Sequence, residues 1–249
     1  MRRHLIVANW KMHKTAVEAA AYVRRLAPLV RQAAHTEIVL APPFTALSVA
    51  SVPAGRRFAF AAQNLHWEDA GAFTGEVSAR MLVALGCTYV IVGHSERRRL
   101  CGEDDSVINK KILAATGHGL RPILCIGESP AERRQGQTTR VVTCQLQKGL
   151  RGITSQDARL LTIAYEPVWA IGTGIAASPE HIHAVHLTIR ACLVKKWGAR
   201  VANRMRILYG GSVNPDNVVA FVQSPEVDGV LVGGACLDPR TFAKIARRC

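Results

Sequence analysis

The chain has 249 residues, 49% of them hydrophobic, with 32 Lys and Arg against 18 Asp and Glu, for a formal charge of +14 with histidine neutral. That length and apolar content suit a single domain with a large core and leave no segment that reads as disordered. No apolar run approaches the roughly 20 residues needed to cross a bilayer. The short apolar run after Met1-Arg2-Arg3 is not that of a signal peptide, so a cytoplasmic protein with no membrane partner is expected. Cys87, Cys101, Cys125, Cys144, Cys192, Cys236 and Cys249 are odd in number, widely spaced and free of any C-x-x-C pair. This points to a reducing compartment and argues against a zinc site or a disulfide framework.

The positive balance invites a polyanion or nucleic-acid reading. The basic residues, however, are scattered in pairs such as Arg24-Arg25 and Lys110-Lys111, with a single triplet, Arg97-Arg98-Arg99, and no aromatic-interleaved stripe. A solvated basic surface is the reading adopted, and nucleic acid is not expected as a partner.

In chain order, short Val-, Ile-, Leu- and Ala-rich runs predict strands at His4–Trp10, Thr36–Ala41, Arg57–Gln63, Tyr89–Gly93, Pro122–Gly127, Leu160–Glu166, Arg206–Tyr209 and Asp228–Val232. None alternates cleanly with polar residues, which is how strands buried on both faces read. Amphipathic stretches predict helices at Val17–Ala33, Phe44–Ser51, Ser78–Leu85, Asp105–Thr116, Pro130–Leu150, Pro179–Lys196, Pro215–Phe221 and Arg240–Arg247. Pro130, Pro179 and Pro215 suit first turns, capped by Ser129, Ser178 and Asn214. Eight alternating pairs predict an α/β fold, a single (β/α)8 barrel over residues 1–249. An open doubly wound sheet is disfavoured because no G-x-G-x-x-G turn follows the first strand.

Chemistry in such a barrel belongs at the C-terminal strand ends. Asn9 and Lys11 share a strand register, so an amide and an ammonium would project together toward an anionic substrate; a snorkelling surface lysine is the alternative. The stretch 64–76 is long for a βα loop and carries Trp67 and Phe73, which suggests self-association. Gly93 allows a close backbone approach, and His94 follows it at the mouth; a purely structural histidine stays open. Glu166 ends strand six before Pro167, an apolar stretch and two glycines, Gly172 and Gly174. It reads either as a catalytic base beside a movable lid or as a buried helix-capping carboxylate. Gly210-Gly211-Ser212 and Gly233-Gly234 follow strands seven and eight and would present backbone N–H groups at helix starts as an anion cradle, with tight turns as the alternative.

Taken together, Asn9-Trp10-Lys11, Gly93-His94-Ser95-Glu96-Arg97-Arg98, Ala164-Tyr165-Glu166-Pro167-Val168-Trp169, Tyr209-Gly210-Gly211-Ser212-Val213 and Leu231-Val232-Gly233-Gly234-Ala235 resemble the triosephosphate isomerase family over the whole length. The resemblance implies interconversion of dihydroxyacetone phosphate and D-glyceraldehyde 3-phosphate through an enediolate, in glycolysis and gluconeogenesis, without metal or cofactor. It further implies Glu166 as base, neutral His94 as electrophile, Lys11 and Asn9 as stabilising and positioning groups, and Gly172, Ser212, Gly233 and Gly234 as phosphate ligands. Glu96 and Arg97 are implied supports, Ile171 an apolar cover, and Thr74 a contact to the partner's active site in a homodimer formed through the loop 64–76. Other readings are a different phosphosugar isomerase or epimerase on the same barrel and, as a secondary role, polyanion binding. Three departures from the family pattern stand out: Ile175-Ala176-Ala177 at the far hinge of the lid, Cys101 in place of an aromatic, and Cys236 where serine is common.

Overall fold

The computed structural model describes residues 2–33, 35–51, 57–172 and 177–249. Within them, parallel strands pair in sequence order and close into an eight-stranded barrel. They are β1 Leu5–Asn9, β2 Glu37–Ala41, β3 Ala59–Ala62, β4 Tyr89–Val92, β5 Arg121–Ile126, β6 Thr162–Tyr165, β7 Arg206–Tyr209 and β8 Gly229–Val232. The seam pairs Leu5 with Gly229 and Ala8 with Val232.

The register explains why the strands read as unbroken apolar runs. Leu5, Val7, Val39, Ala41, Tyr89, Ile91, Ala164, Leu208 and Leu231 pack together inside the barrel. Their neighbours Ile6, Ala8, Ile38, Leu40 and Tyr209 pack outward under one set of helices, and Val90, Val92, Ile163 and Tyr165 under another. Period-2 side chains thus meet protein on both faces, and the polar alternation of a one-sided sheet is lost.

Among the described residues the helices are α1 Ala16–Leu29, α2 Ala79–Ala84, α3 Ser95–Leu100, α4 Asp105–Gly117, α5 Pro130–Arg134, α6 Thr138–Gly149, α7 Pro179–Trp197, α8 Ala199–Ala202, α9 Val218–Val222 and α10 Pro239–Arg248. Several expectations need correction. The helix predicted at Pro130–Leu150 is two helices, because Gly136 adopts φ +67 and the Gln137 N–H returns to the Glu132 carbonyl at 2.9 Å, an end that only a left-handed residue closes. Phe44–Ser51 is a 3-10 segment rather than an α-helix. The helix predicted from Pro215 begins at Val218; Asn214 still caps the chain, but its side-chain oxygen takes the N–H groups of Asp216 and Asn217 in a preceding turn. Helix α8 lies outside the expected set, and at α3 the sequence indicates only a turn or helix starting at His94. Ser-Glu-Arg-Arg-Arg-Leu in α3 buries no residue and so carries no apolar period, and α8 spans only four residues. The hinge expectation falls largely outside the described residues, since 173–176 are not among them and only Ala177 is.

Candidate active site

Strand parity places most of the candidates. Val7 faces the barrel interior, so Asn9 does too; Ala164 places Glu166, Leu208 places Gly210 and Leu231 places Gly233 in the same way. His94 breaks this rule. With Tyr89 and Ile91 inside, parity would send it outward. Gly93 turns the chain at φ +71, and a Cβ there would lie 2.8 Å from an Ile108 methyl, so a glycine is needed to bring His94 to the mouth. Lys11 also leaves the strand, at φ 53. Its N–H is taken by the Asn9 side-chain oxygen at 3.0 Å and its carbonyl by Gln63 Nε2 at 2.9 Å. These two bonds hold a residue that is not glycine in the left-handed region.

The side chains then meet. His94 Nδ1 accepts the Glu96 N–H at 3.3 Å, capping α3. A nitrogen that accepts is unprotonated, so the ring proton sits on Nε2, which faces Glu166 Oε1 at 3.1 Å. The other Glu166 oxygen accepts the Ser95 N–H at 2.9 Å, and the residue is 2% exposed. Lys11 Nζ donates to Glu96 Oε1 at 2.6 Å. Burial raises the Glu96 pKa, but the Lys11 hydrogen bond and the positive charge around it outweigh that and leave it below the ordinary carboxylate value. Burial, with the charge of Glu166, pushes the Cys125 thiol well up, which makes it an inert neighbour rather than a nucleophile. Behind Glu166, a Cβ on Gly127 would fall 1.8 Å from the Glu166 carbonyl oxygen, so the residue after β5 can only be glycine if the end of β6 is to lie against it.

Asn9, Lys11, His94, Glu166, Ile171, Gly172, Ser212, Gly233 and Gly234 line one cavity of about 240 Å³, with Gly210, Gly211, Asn214 and Leu231. The glycine turns lie against these side chains: a Cβ on Gly210 would fall 2.9 Å from Glu166 Cγ, and one on Gly233 3.3 Å from Lys11 Cε. The cradle differs from the expectation in one respect. Gly234–Cys236 is a 3-10 turn with α10 beginning only at Pro239, and α9 begins six residues after Ser212. The N–H groups therefore come from turns, without a long helix dipole behind them. Ser212 Oγ donates to the Ala170 carbonyl at 2.7 Å, tying the cradle to the segment that carries Ile171 and Gly172.

Arg97 stands apart from this cavity. Its guanidinium binds Glu103 at 2.6 Å, and Glu103 in turn holds the buried Lys111. Arg97 borders an adjoining cavity of about 310 Å³ with Met12, Phe44, Glu96 and Leu100. Thr74 is exposed and lines neither space. The loop 64–76 around it is ordered by its own aromatics, with the His66 ring stacked on Trp67 at 4.1 Å and 4.3 Å from Phe73. Two contributors to the site, and one carboxylate packed behind it, are not singled out by the sequence. The Ser95 N–H is invisible because backbone groups leave no signature. Gln63 was read only as a strand end. Glu128 is a carboxylate at the end of β5, the same signal that singled out Glu166, and it is fully buried.

With this geometry in place, comparison with known proteins is direct. Residues 4–249 match the profile described as Triosephosphate isomerase. The chain is 49% identical over 248 residues to the triosephosphate isomerase of Carboxydothermus hydrogenoformans, covering 99% of each sequence. It is 49% identical over 246 residues to that of Solibacter usitatus, covering 98% of this chain and 99% of the relative.

The chain belongs to the triosephosphate isomerase family.

A third member, from Symbiobacterium thermophilum, is 50% identical over 246 residues, covering 98% of this chain and 96% of the relative. Family membership accounts for the closed all-parallel barrel as well as for the order of the motifs along it. No helix among the described residues is long and apolar enough to cross a membrane.

Proposed function

We propose that this chain interconverts dihydroxyacetone phosphate and D-glyceraldehyde 3-phosphate, a step of glycolysis and gluconeogenesis, with the cavity lined by Glu166, His94 and Lys11 as its active site. The observation that carries this reading is the 3.1 Å contact between Glu166 Oε1 and an Nε2 whose proton is assigned by the Glu96 N–H on the other ring nitrogen. A carboxylate acceptor and a neutral imidazole donor side by side suit proton removal from a carbon next to a carbonyl that the imidazole polarises. Glu166 releases the Ser95 N–H to reach that carbon. Lys11 offsets charge on the enediolate oxygens, and Asn9 orders Lys11 through its backbone. Turn N–H groups at Gly172, Ser212, Gly233 and Gly234 hold the phosphate dianion, and Ile171 excludes water over the reacting carbons. Glu96 and Arg97 support these groups without touching substrate. No metal or cofactor enters this scheme.

The test is a coupled assay in both directions with the two triose phosphates. Turnover of neither would overturn the reading, and turnover of a different phosphosugar alone would favour another isomerase of the same barrel.

We also read the protein as a cytoplasmic homodimer and a single folding unit. All seven cysteines are free. Met12 at 92% and Leu100 at 71% exposure, with Phe44 beside them, rim the cavity next to Lys11 and Glu96, an apolar rim that a second copy's 64–76 loop, with Thr74, would cover. Light scattering at micromolar concentration should give about twice the monomer mass, and Met12→Asp should halve it.

A further inference from the structure

A cluster behind the residues that follow Glu166 plays no part in the chemistry above. The carboxylate of Glu128 accepts from the Tyr165 hydroxyl at 3.1 Å to each oxygen and from Trp169 Nε1 at 2.8 Å. Its carbonyl takes the Val168 N–H at 3.1 Å. The Arg133 guanidinium lies 3.7 Å from the centre of the Trp169 ring, and the His181 ring meets that indole edge-on at 5.8 Å. His181 Nε2 is 3.0 Å from Arg133 Nη1 and 3.1 Å from the Tyr165 hydroxyl.

The proton inventory of this cluster is constrained. Arginine only donates, so Nε2 must hold a lone pair toward Arg133. A proton there would oppose the Arg133 N–H and set a second positive charge beside the guanidinium. Of the charged groups facing the ring, Arg133 on α5 therefore opposes protonation, while Glu128 at the end of β5 favours it at 4.0 Å. Tyr165 on β6 is neutral, its hydroxyl pushed far up by burial and Glu128. On α7 itself, His183 is engaged with Ser224 Oγ at 2.9 Å, and His186 is buried with its pKa down to about 4, in a different window. Burial, then Arg133, hold the His181 pKa below its ordinary value.

We propose that neutral His181 is a positioning residue for the isomerase reaction: by accepting the Arg133 N–H it keeps that guanidinium flat on Trp169 and so seats the residues 167–172, which join the base to the phosphate ligand Gly172. Protonation of His181 releases Arg133 and loosens the seat. Because the folded pKa lies below the ordinary histidine value, the seat is complete above that ordinary value and is lost as pH falls through the lower, folded one. The effect on turnover rests on the isomerase reading; the seat itself does not.

The experiment uses the full chain labelled with 5-fluorotryptophan, the Trp169 resonance being assigned by Trp169→Phe. Fluorine spectra, kcat and KM are followed from about pH 8 to about pH 5, the range in which histidine titrates. Trp10, buried between β1 and α1, reports unfolding. The Trp169 resonance should titrate once, below pH 6.5, while Trp10 stays still. In His181→Gln, whose side-chain carbonyl can still accept from Arg133, that titration should vanish, and kcat should fall severalfold less toward low pH than in the native chain, with KM little changed. A Trp169 resonance that does not titrate, a titration that survives in His181→Gln, or coincident kcat profiles would overturn the proposal. A seat that titrates as expected in a protein without turnover would instead sink the isomerase reading and leave the seat standing.

Discussion

At the N-terminal ends of the strands, Glu37 accepts from the Tyr89 hydroxyl at 2.7 Å and from Arg206 at 2.6 Å, while Arg206 and Arg121 also donate to that hydroxyl. Alongside, Asp228 holds Arg2 and Arg190 and takes the Ile207 N–H at 2.8 Å. At the C-terminal ends, Glu166, His94 and Lys11 are no less charged or polar, but they border open cavity, and their partners are ones that substrate can replace. Buried ionisable residues of the same types thus do opposite work at the two ends. Where several fixed donors saturate a carboxylate, it locks strands together. Where a carboxylate is held by one N–H and one imidazole at the edge of a cavity, it is left open to whatever enters that cavity.

Substitutions at the two ends should therefore separate activity from stability. Shortening the base by one methylene in Glu166→Asp should lower kcat by about 10²- to 10⁴-fold with KM nearly unchanged, because only proton transfer is misaligned. Its urea midpoint should match that of the native chain; a large loss of stability would make Glu166 a structural group like Asp228. At the other end, Arg190→Met leaves Asp228 and Glu226, bonded to Arg190 at 3.1 Å and 2.9 Å, with Arg2 as their remaining arginine, and takes the buried donor from the Ala202 and Met205 carbonyls. Removing one partner of such a buried pair should cost about 3–5 kcal/mol of unfolding free energy while leaving the kcat of folded protein intact, as equilibrium urea unfolding and assays at low temperature would show. Tyr89→Phe removes one donor and one acceptor from the floor of the barrel. It should cost about 1–3 kcal/mol, read as a drop in melting temperature with no change in kcat/KM.

The smallest expected effect is on pH dependence. Burial raises the Glu37 pKa, but hydrogen bonds from Tyr89 and Arg206 outweigh it and bring it below the ordinary carboxylate value. Stability from this group is therefore complete above that value and declines as pH falls through the folded one. Urea midpoints measured from neutral to acid pH should fall less steeply in Glu37→Gln than in the native chain; parallel curves would remove Glu37 from the acid response.

Much of the molecule was legible in its residues because burial on both faces writes a signal that needs no partner to be read. Each predicted strand lies within two residues of the observed one at either end. Parity along those strands was enough to direct Asn9 and Glu166 inward, since period 2 is a local property of extended chain. Of the glycine pairs, Gly210 and Gly211 sit where a Cβ would fall 2.9 Å from Glu166 Cγ and 2.2 Å from the Tyr209 hydroxyl, whereas a Cβ on Gly234 would meet open space. Tertiary structure decided what depends on neighbours distant in sequence. His94 faces the mouth only because Gly93 turns the chain against Ile108, a contact no spacing announces. Helix α3 carries no apolar stripe, so only its placement after β4 reveals it as the source of the Ser95 N–H that holds Glu166. Glu128 and Glu166 look alike in sequence, each a carboxylate at a strand end. What separates them is that parity turns Glu166 into the cavity, while Glu128 is packed behind it against Tyr165 and Trp169.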